Sequence, residues 1–139
     1  MHCFEWEKVY SKRLGMINIP VAEISIMDSR KKWKIIKVIV DSGATISLFK
    51  RSFGELLGID IENGKKVTLG GIGEGKIEAY VHLVELKVGD FNLTASVAFA
   101  NNDIPPNLLG RLNIFDNLEI QFKNVSEQTC FLNPEVLKG

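Results

Sequence analysis

The runs "MINIPVAEISIM" and "KWKIIKVIV" are rich in β-branched apolar residues, and the polar stretch "DSRKK" lies between them. Two such runs around a turn predict a β-hairpin. The spacing then changes. In "ISLFKRSFGELLG", Phe49, Phe53, Leu56 and Leu57 recur at helical intervals and Gly58 follows as a stop. This predicts a short helix, which internal Gly54 weakens. "KKVTLGGIGEGKIEAYVHLVELKVGD" reads as strand, glycine-rich tip and long strand. The long strand alternates at Ile77, Ala79, Val81 and Leu83, then slips to Val84, Leu86 and Val88. A period of two that shifts by one residue predicts a bulge, or a strand passing between two packing environments. Gly89-Asp90 signals a tight turn, and "DFNLTASVAFA" alternates through Phe91, Leu93, Ala95, Val97 and Phe99. "NNDIPPN" has the composition of a loop, "LLGRLNIFDN" is short and apolar, "LEIQF" alternates, and a last strand falls near Thr129 to Leu132. Seven or more strands with one or two short helices imply a mostly β, predominantly antiparallel, barrel-like domain.

Composition narrows the function classes. The chain has 139 residues, of which 45% are hydrophobic, enough for the core of a single domain over 1–139. Residues 1–20 form an N-terminal extension or first strand of uncertain conformation. Lys+Arg and Asp+Glu are both 17, so bulk charge gives no drive toward nucleic acid. The basic run Arg30-Lys31-Lys32 with Lys34 reads as a solvated turn. No apolar run approaches the roughly 20 residues of a membrane helix. "MHCFEWEKVYSKR" lacks a signal-peptide core, so a cytoplasmic setting is expected. Cys3 and Cys130 have no metal-ligand spacing; free thiols are expected, with a disulfide joining the termini as the lesser alternative. No metal or cofactor is implied.

Three features could carry chemistry. Gly70, Gly75 and Lys76 fit part of a phosphate-binding loop, but Ile77 stands where a magnesium-holding Ser or Thr belongs. The segment that follows alternates as a strand, whereas such a loop must open a helix. A pliable hairpin is the better reading, and a pliable tip can serve as a lid. His2 and His82 make no dedicated metal site, and His82 reads as structural. Asp41 remains, at the end of "IIKVIV" and followed by Ser42 and Gly43. By itself this is an Asp that starts a turn by accepting backbone hydrogen bonds. Its context adds a glycine-rich hairpin about thirty residues on, then "NLLGR" at Asn107 to Arg111.

Together these resemble the retropepsin-like family of single-lobe, retroviral-type aspartic proteases. The match is Asp41-Ser42-Gly43-Ala44-Thr45 for the D-[ST]-G-A motif, "TLGGIGEGKIEAY" for the flap, and "NLLGR" for the apolar-apolar-Gly element. The helix expected after the motif points to the bacterial or archaeal branch. The resemblance implies an acid-protease barrel and an aspartic endopeptidase that hydrolyses peptide bonds. One Asp41 from each chain of a homodimer would supply the catalytic pair. It further implies that Ser42, Gly43, Ala44 and Thr45 support the active-site loop. Gly70, Gly71, Ile72, Gly73, Glu74 and Gly75 would form the flap over an extended peptide. Asn107 and Leu108 would lie on the cleft wall with Ile104 and Pro105 nearby, and Leu109 and Gly110 would pack behind the loop. Expected partners are a second copy and a peptide or protein substrate, with neither nucleic acid nor membrane. A non-proteolytic peptide-binding or regulatory dimer on the same fold is the alternative. The sequence departs from viral enzymes at Thr45, where many carry an acidic partner for the arginine, so Arg111 must find another.

Overall fold

A computed structural model describes residues 1–70 and 75–134. Among them run twelve strands: β1 (His2–Glu5), β2 (Glu7–Ser11), β3 (Gly15–Ile19), β4 (Val21–Met27), β5 (Trp33–Val40), β6 (Ser47–Phe49), β7 (Lys65–Leu69), β8 (Ile77–Val88), β9 (Phe91–Ala100), β10 (Leu108–Leu109), β11 (Glu119–Lys123) and β12 (Gln128–Leu132). One helix, α1 (Arg51–Leu56), and a 3₁₀ turn (Ile61–Asn63) complete them. The main sheet has the order β4-β5-β10-β6-β9-β8-β7. Ser25↔Lys87 and Ile26↔Leu86 also join β4 to β8, so a ring closes and the fold is a barrel. Closure removes the exposed edges that an open sheet would leave. The resulting architecture is the mostly β barrel expected, with two parallel pairings, β5–β10 and β6–β9, within it.

The β4–β5 hairpin forms as expected, but Pro20 ends the first run early and leaves Gly15–Ile19 as a strand of its own. Pro20 has no amide hydrogen to continue the ladder. At the turn, Asp28 Oδ1 accepts from the backbone amides of Lys32 (2.8 Å) and Arg30 (2.9 Å). Those bonds, Lys32 first, hold the Asp28 carboxyl below its ordinary pKa. Along β5 the even positions Ile36, Val38 and Val40 enter the core, while Ile35 and Lys37 face out. Asp41 follows in the outward phase, so its carboxylate leaves the barrel interior.

The slip in β8 is a change of packing environment. Its register with β9 runs unbroken from Ala79↔Ala100 to Val88↔Phe91, with no bulge. Val84, Leu86 and Val88 pack into the main core with Ile24, Val38, Val97, Phe99 and Leu109. Ile77, Ala79 and Val81, on the opposite face, join Leu48, Ala98, Ala100, Val67, Leu69 and Leu108 in a second apolar cluster. Because side chains alternate strictly, each end of one strand can serve a different core only if the pattern shifts phase.

Phe49, which shares the helical spacing, belongs instead to β6, paired to Phe99 on β9. Burial of the β6 backbone between two strands overrides the local period. In α1, a Cβ on Gly54 would lie 2.8 Å from Phe99 Cδ1 and 3.0 Å from Ile61 Cδ1. The glycine is there for close packing. Gly54→Ala is expected to lose about 1 kcal/mol in urea denaturation, since overpacking outweighs the gain of about 1 kcal/mol in helix propensity.

The terminal strands form a separate sheet, β1-β12-β11, and residues 1–20 hold β1 of that sheet and the two-stranded hairpin β2–β3. Its register sets Cys3 opposite Cys130, and the two are joined by a disulfide. The expectation of free thiols is corrected here. The cysteines are 127 residues apart, and only the pairing of β1 with β12 makes them neighbours. Peptide mapping without reductant should recover both cysteines in one linked species, and two free peptides would contradict it.

Candidate active site

The segment after β5 turns on its own carboxylate. Gly43 N–H donates to Asp41 Oδ1 (2.9 Å), and Ala44 N–H donates to the Asp41 carbonyl (3.2 Å). From behind, β10 threads between β5 and β6, parallel to the first and antiparallel to the second. The Asp41 amide donates to the Leu109 carbonyl (3.0 Å), and the Arg111 and Leu112 amides donate to the Ala44 and Thr45 carbonyls (2.9 Å each). Both flanks of the Asp41 turn are therefore tied to "NLLGR" by backbone bonds, which fixes where the carboxylate points.

Gly110 and Ser47 form the tightest part of this crossing. A Cβ on Gly110 would lie 2.5 Å from the Ile46 carbonyl carbon and 2.9 Å from Ser47 N, so no side chain fits. Fully buried Ser47 accepts the Gly110 amide through Oγ (2.9 Å), which satisfies a donor that would otherwise be stranded in the interior. Sequence reasoning missed Ser47. Its only signal was a hydroxyl within the apolar run "ISLF".

In front of the turn lies a cavity of about 310 Å³. Asp41, Gly43, Ala44 and Thr45 form one side, with Ile46, Leu48 and Leu108 beneath; Leu69, Gly70 and Ile77 form the other. Leu69 and Ile77 are paired across the root of the β7–β8 hairpin, so the second apolar cluster is also the cavity wall. Neither was named as a site residue from sequence, although Ile77 shares the odd-numbered phase of β8 with Ala79 and Val81 and Leu69 pairs with it from β7. Asp41, half-buried, is the one ionisable group among the described residues lining the cavity. Apolar walls around a single carboxylate suit a hydrophobic ligand with one polar reaction centre.

The other expected residues are placed as follows. Ser42 and Gly43 are exposed. Gly70 and Gly75 flank the hairpin tip, and Gly71, Ile72, Gly73 and Glu74 lie outside the described residues. Leu108 reaches the cavity; Leu109 and Gly110 are buried behind it. Asn107 and Ile104 line a neighbouring groove, and Pro105 is buried. Asn107 works on the backbone. Its Oδ1 accepts from Lys50 N (2.8 Å) and its carbonyl accepts from Ile39 N (2.9 Å). Lys50 Nζ in turn donates to the carbonyls of Asp103 (2.6 Å) and Pro105 (2.8 Å) and so holds the preceding loop. Arg111 Nη2 donates to Thr45 Oγ1 at 3.4 Å, a charged donor on a neutral hydroxyl. His82 is structural, with Nε2 2.8 Å from the Ile61 carbonyl. Among the described residues no three His, Cys, Asp or Glu side chains are grouped to hold a metal, and no helix is long and apolar enough to cross a membrane.

A family model described as Aspartyl protease matches residues 24–111, the stretch from β4 through Arg111. Among solved structures, the retroviral EIAV protease complexed with the inhibitor HBY-793 is similar, with 26% identity and a TM-score of 0.52. That likeness covers 67% of this chain and 82% of the viral one. No curated protein matches the chain by sequence.

Proposed function

Because the chain belongs to the aspartyl protease family and has a retropepsin-like fold, we propose that it is an aspartic endopeptidase, active as a homodimer. The observation that carries this reading is Asp41 itself. It is the one ionisable group among the described residues of a 310 Å³ apolar cavity, on a turn braced from both flanks. Hydrolysis of an amide needs a base to activate water and an acid to protonate the product. One carboxylate cannot be both at once, so a second copy supplies its own Asp41 across a two-fold axis.

Two carboxylates that close share one proton, as in aspartic proteases generally, and titrate as a pair. The ionised member takes a proton from water as the oxygen attacks the scissile carbonyl. The protonated member hydrogen-bonds that carbonyl, and the proton then passes to the leaving amine. In this reading exposed Ser42 supports the partner's loop through its hydroxyl, and Gly43 lets the substrate backbone approach. The hairpin tip, residues 70–75, closes over an extended peptide and excludes water. The substrate pairs as an added strand, with Leu48, Leu69, Ile77 and Leu108 forming pockets for its apolar side chains. The cytoplasmic setting expected from the sequence is opposed by the Cys3–Cys130 bridge, because cytosolic thiols are kept reduced and disulfides are rare there.

The test compares wild type with Asp41→Asn on a diverse peptide library from acidic to neutral pH. Cleavage by wild type alone is expected. Cleavage that survives in the variant would remove Asp41 from the mechanism, and binding of peptides by both without cleavage would favour the non-proteolytic module.

A further inference from the structure

The hairpin β2–β3 stands apart from the rest of the fold. It is a two-stranded sheet of its own, paired from Glu7↔Ile19 at its base to Ser11↔Gly15 near its tip. Its base is anchored by the Lys37–Glu7 ion pair (2.7 Å) and by Asn18 Nδ2 donating to Glu127 Oε1 (3.0 Å). Beyond the base it carries apolar side chains into solvent: Tyr10 is 69% exposed, Leu14 75% and Met16 63%. Tyr10 and Met16 are directly opposed across the two strands. An isolated two-stranded hairpin is marginally stable in water, so such a ribbon gains from a covering surface.

Its position says which surface. Only Pro20 separates β3 from β4, and the Pro20 carbonyl accepts from Val40 N, the residue before Asp41 (2.8 Å). β4 leads away from that end of the sheet while β5 arrives at it. The hairpin is therefore rooted at the end of the barrel that presents Asp41. Beside it lies a groove of about 300 Å³ whose walls combine apolar side chains, Val21, Ile39, Ile104 and Pro106 among them, with the charged Glu7, Lys37 and Lys50. An apolar projection and a groove with apolar wall at one end of one chain are what an isologous interface requires.

A stable dimer buries roughly 800 Å² per partner, more than a short active-site turn offers. Of the terminal strands, β12 is occupied on both sides, between β1 and β11 and bridged to β1 by Cys3–Cys130, while among the described residues β1 and β11 each pair on one side only, in a sheet separate from the barrel strand that leads into Asp41. We propose that the β2–β3 hairpin is the dimerisation arm. Tyr10, Leu14 and Met16 of one copy seat in the groove beside the hairpin of the other and hold the two Asp41 turns together. The inference rests on the paired-Asp41 reading and names the surface that builds the pair.

Sedimentation equilibrium of the full chain over a wide concentration range tests it, with wild type, Tyr10→Ser/Met16→Ser, Ile104→Ser and Ile35→Ser. Ile35 is also exposed (70%) but lies on β5 six positions before Asp41, away from the hairpin's root. Circular dichroism and thermal unfolding establish that each variant is folded. The wild type and Ile35→Ser should dimerise alike, while the hairpin and groove variants raise the dissociation constant about tenfold or more. Equal dissociation constants in all four would overturn the arm and leave the paired-Asp41 reading standing. A wild type that stays monomeric throughout would overturn that reading, and the arm with it. Lys12 and Arg13 at the tip allow a different occupant, an anionic membrane. Wild type that binds phosphatidylserine vesicles through Tyr10 and Met16, with self-association unchanged by their loss, would also overturn the proposal.

Discussion

Asp41→Asn is expected to abolish peptide cleavage with the fold intact. The substitution keeps the shape of the side chain, and an amide oxygen can still accept the Gly43 N–H now held at 2.9 Å by Oδ1. The backbone bonds to Leu109 and Arg111 involve no side-chain atom of residue 41, so the turn keeps its place. What disappears is the proton acceptor. Loss of a general base lowers the rate by about 10²- to 10⁴-fold, and a variant dimer lacks both members of the pair. Thermal unfolding should show little change, and turnover of a cleaved library peptide should fall to background. Mixing gives a sharper test. Equal amounts of wild type and variant, allowed to exchange subunits, leave about one quarter of dimers with two Asp41 side chains. Activity near one quarter of the unmixed value, at constant total protein, requires both carboxylates. Activity near one half would mean that each copy works alone.

Gly110→Ala is expected to carry the largest stability loss of any single methyl addition near the site. The added carbon would lie 2.5 Å from one backbone atom and 2.6 Å from another, both of Ile46, and 2.9 Å from Ser47 N. Backbone within a barrel strand and its approach cannot yield as a flexible side chain can. Relief therefore requires β10 to withdraw, which breaks the Gly110–Ser47 bond and loosens the ties from Arg111 and Leu112 to the Asp41 turn. Overpacking alone costs about 1–3 kcal/mol, and a stranded buried donor adds about 1–3 kcal/mol. Urea denaturation should give a loss of about 3 kcal/mol or more by that sum, with activity falling alongside. Gly70→Ala is the control, because an added Cβ there meets nothing within 4 Å among the described residues. A Gly110→Ala protein as stable as wild type would mean that the crossing is looser than these distances imply.

Much of the barrel was legible because its signals are local. "DSRKK" marked the β4–β5 turn, the alternation from Phe91 to Phe99 marked β9, and the phase slip at Leu83 to Val84 marked the exchange of cores in β8. Where a long-range demand opposed a local one, the reading shifted. Phe49 had helical spacing, but β6 needed it beside Phe99. "MINIPVAEISIM" looked like one strand, but Pro20 divided it and released the β2–β3 hairpin.

The site divides in the same way. The sequence by itself determined the Asp41-Ser42-Gly43 turn and the glycine-flanked hairpin, since each depends on neighbours a few residues away, whereas the need for glycine at Gly110 comes from Ile46 and Ser47 across the fold. Only the tertiary structure decided what stands around Asp41. Leu109 reaches its amide because β10 enters between β5 and β6, and Ser47 reaches Gly110 across 63 positions. Leu69 and Ile77 become cavity wall because β7 and β8 pair in that register, and Cys3 meets Cys130 because β1 and β12 are adjacent. Those partners are selected by sheet register and by the requirement that buried donors and apolar faces be satisfied, conditions that operate across the whole chain and leave little trace in any short stretch of it.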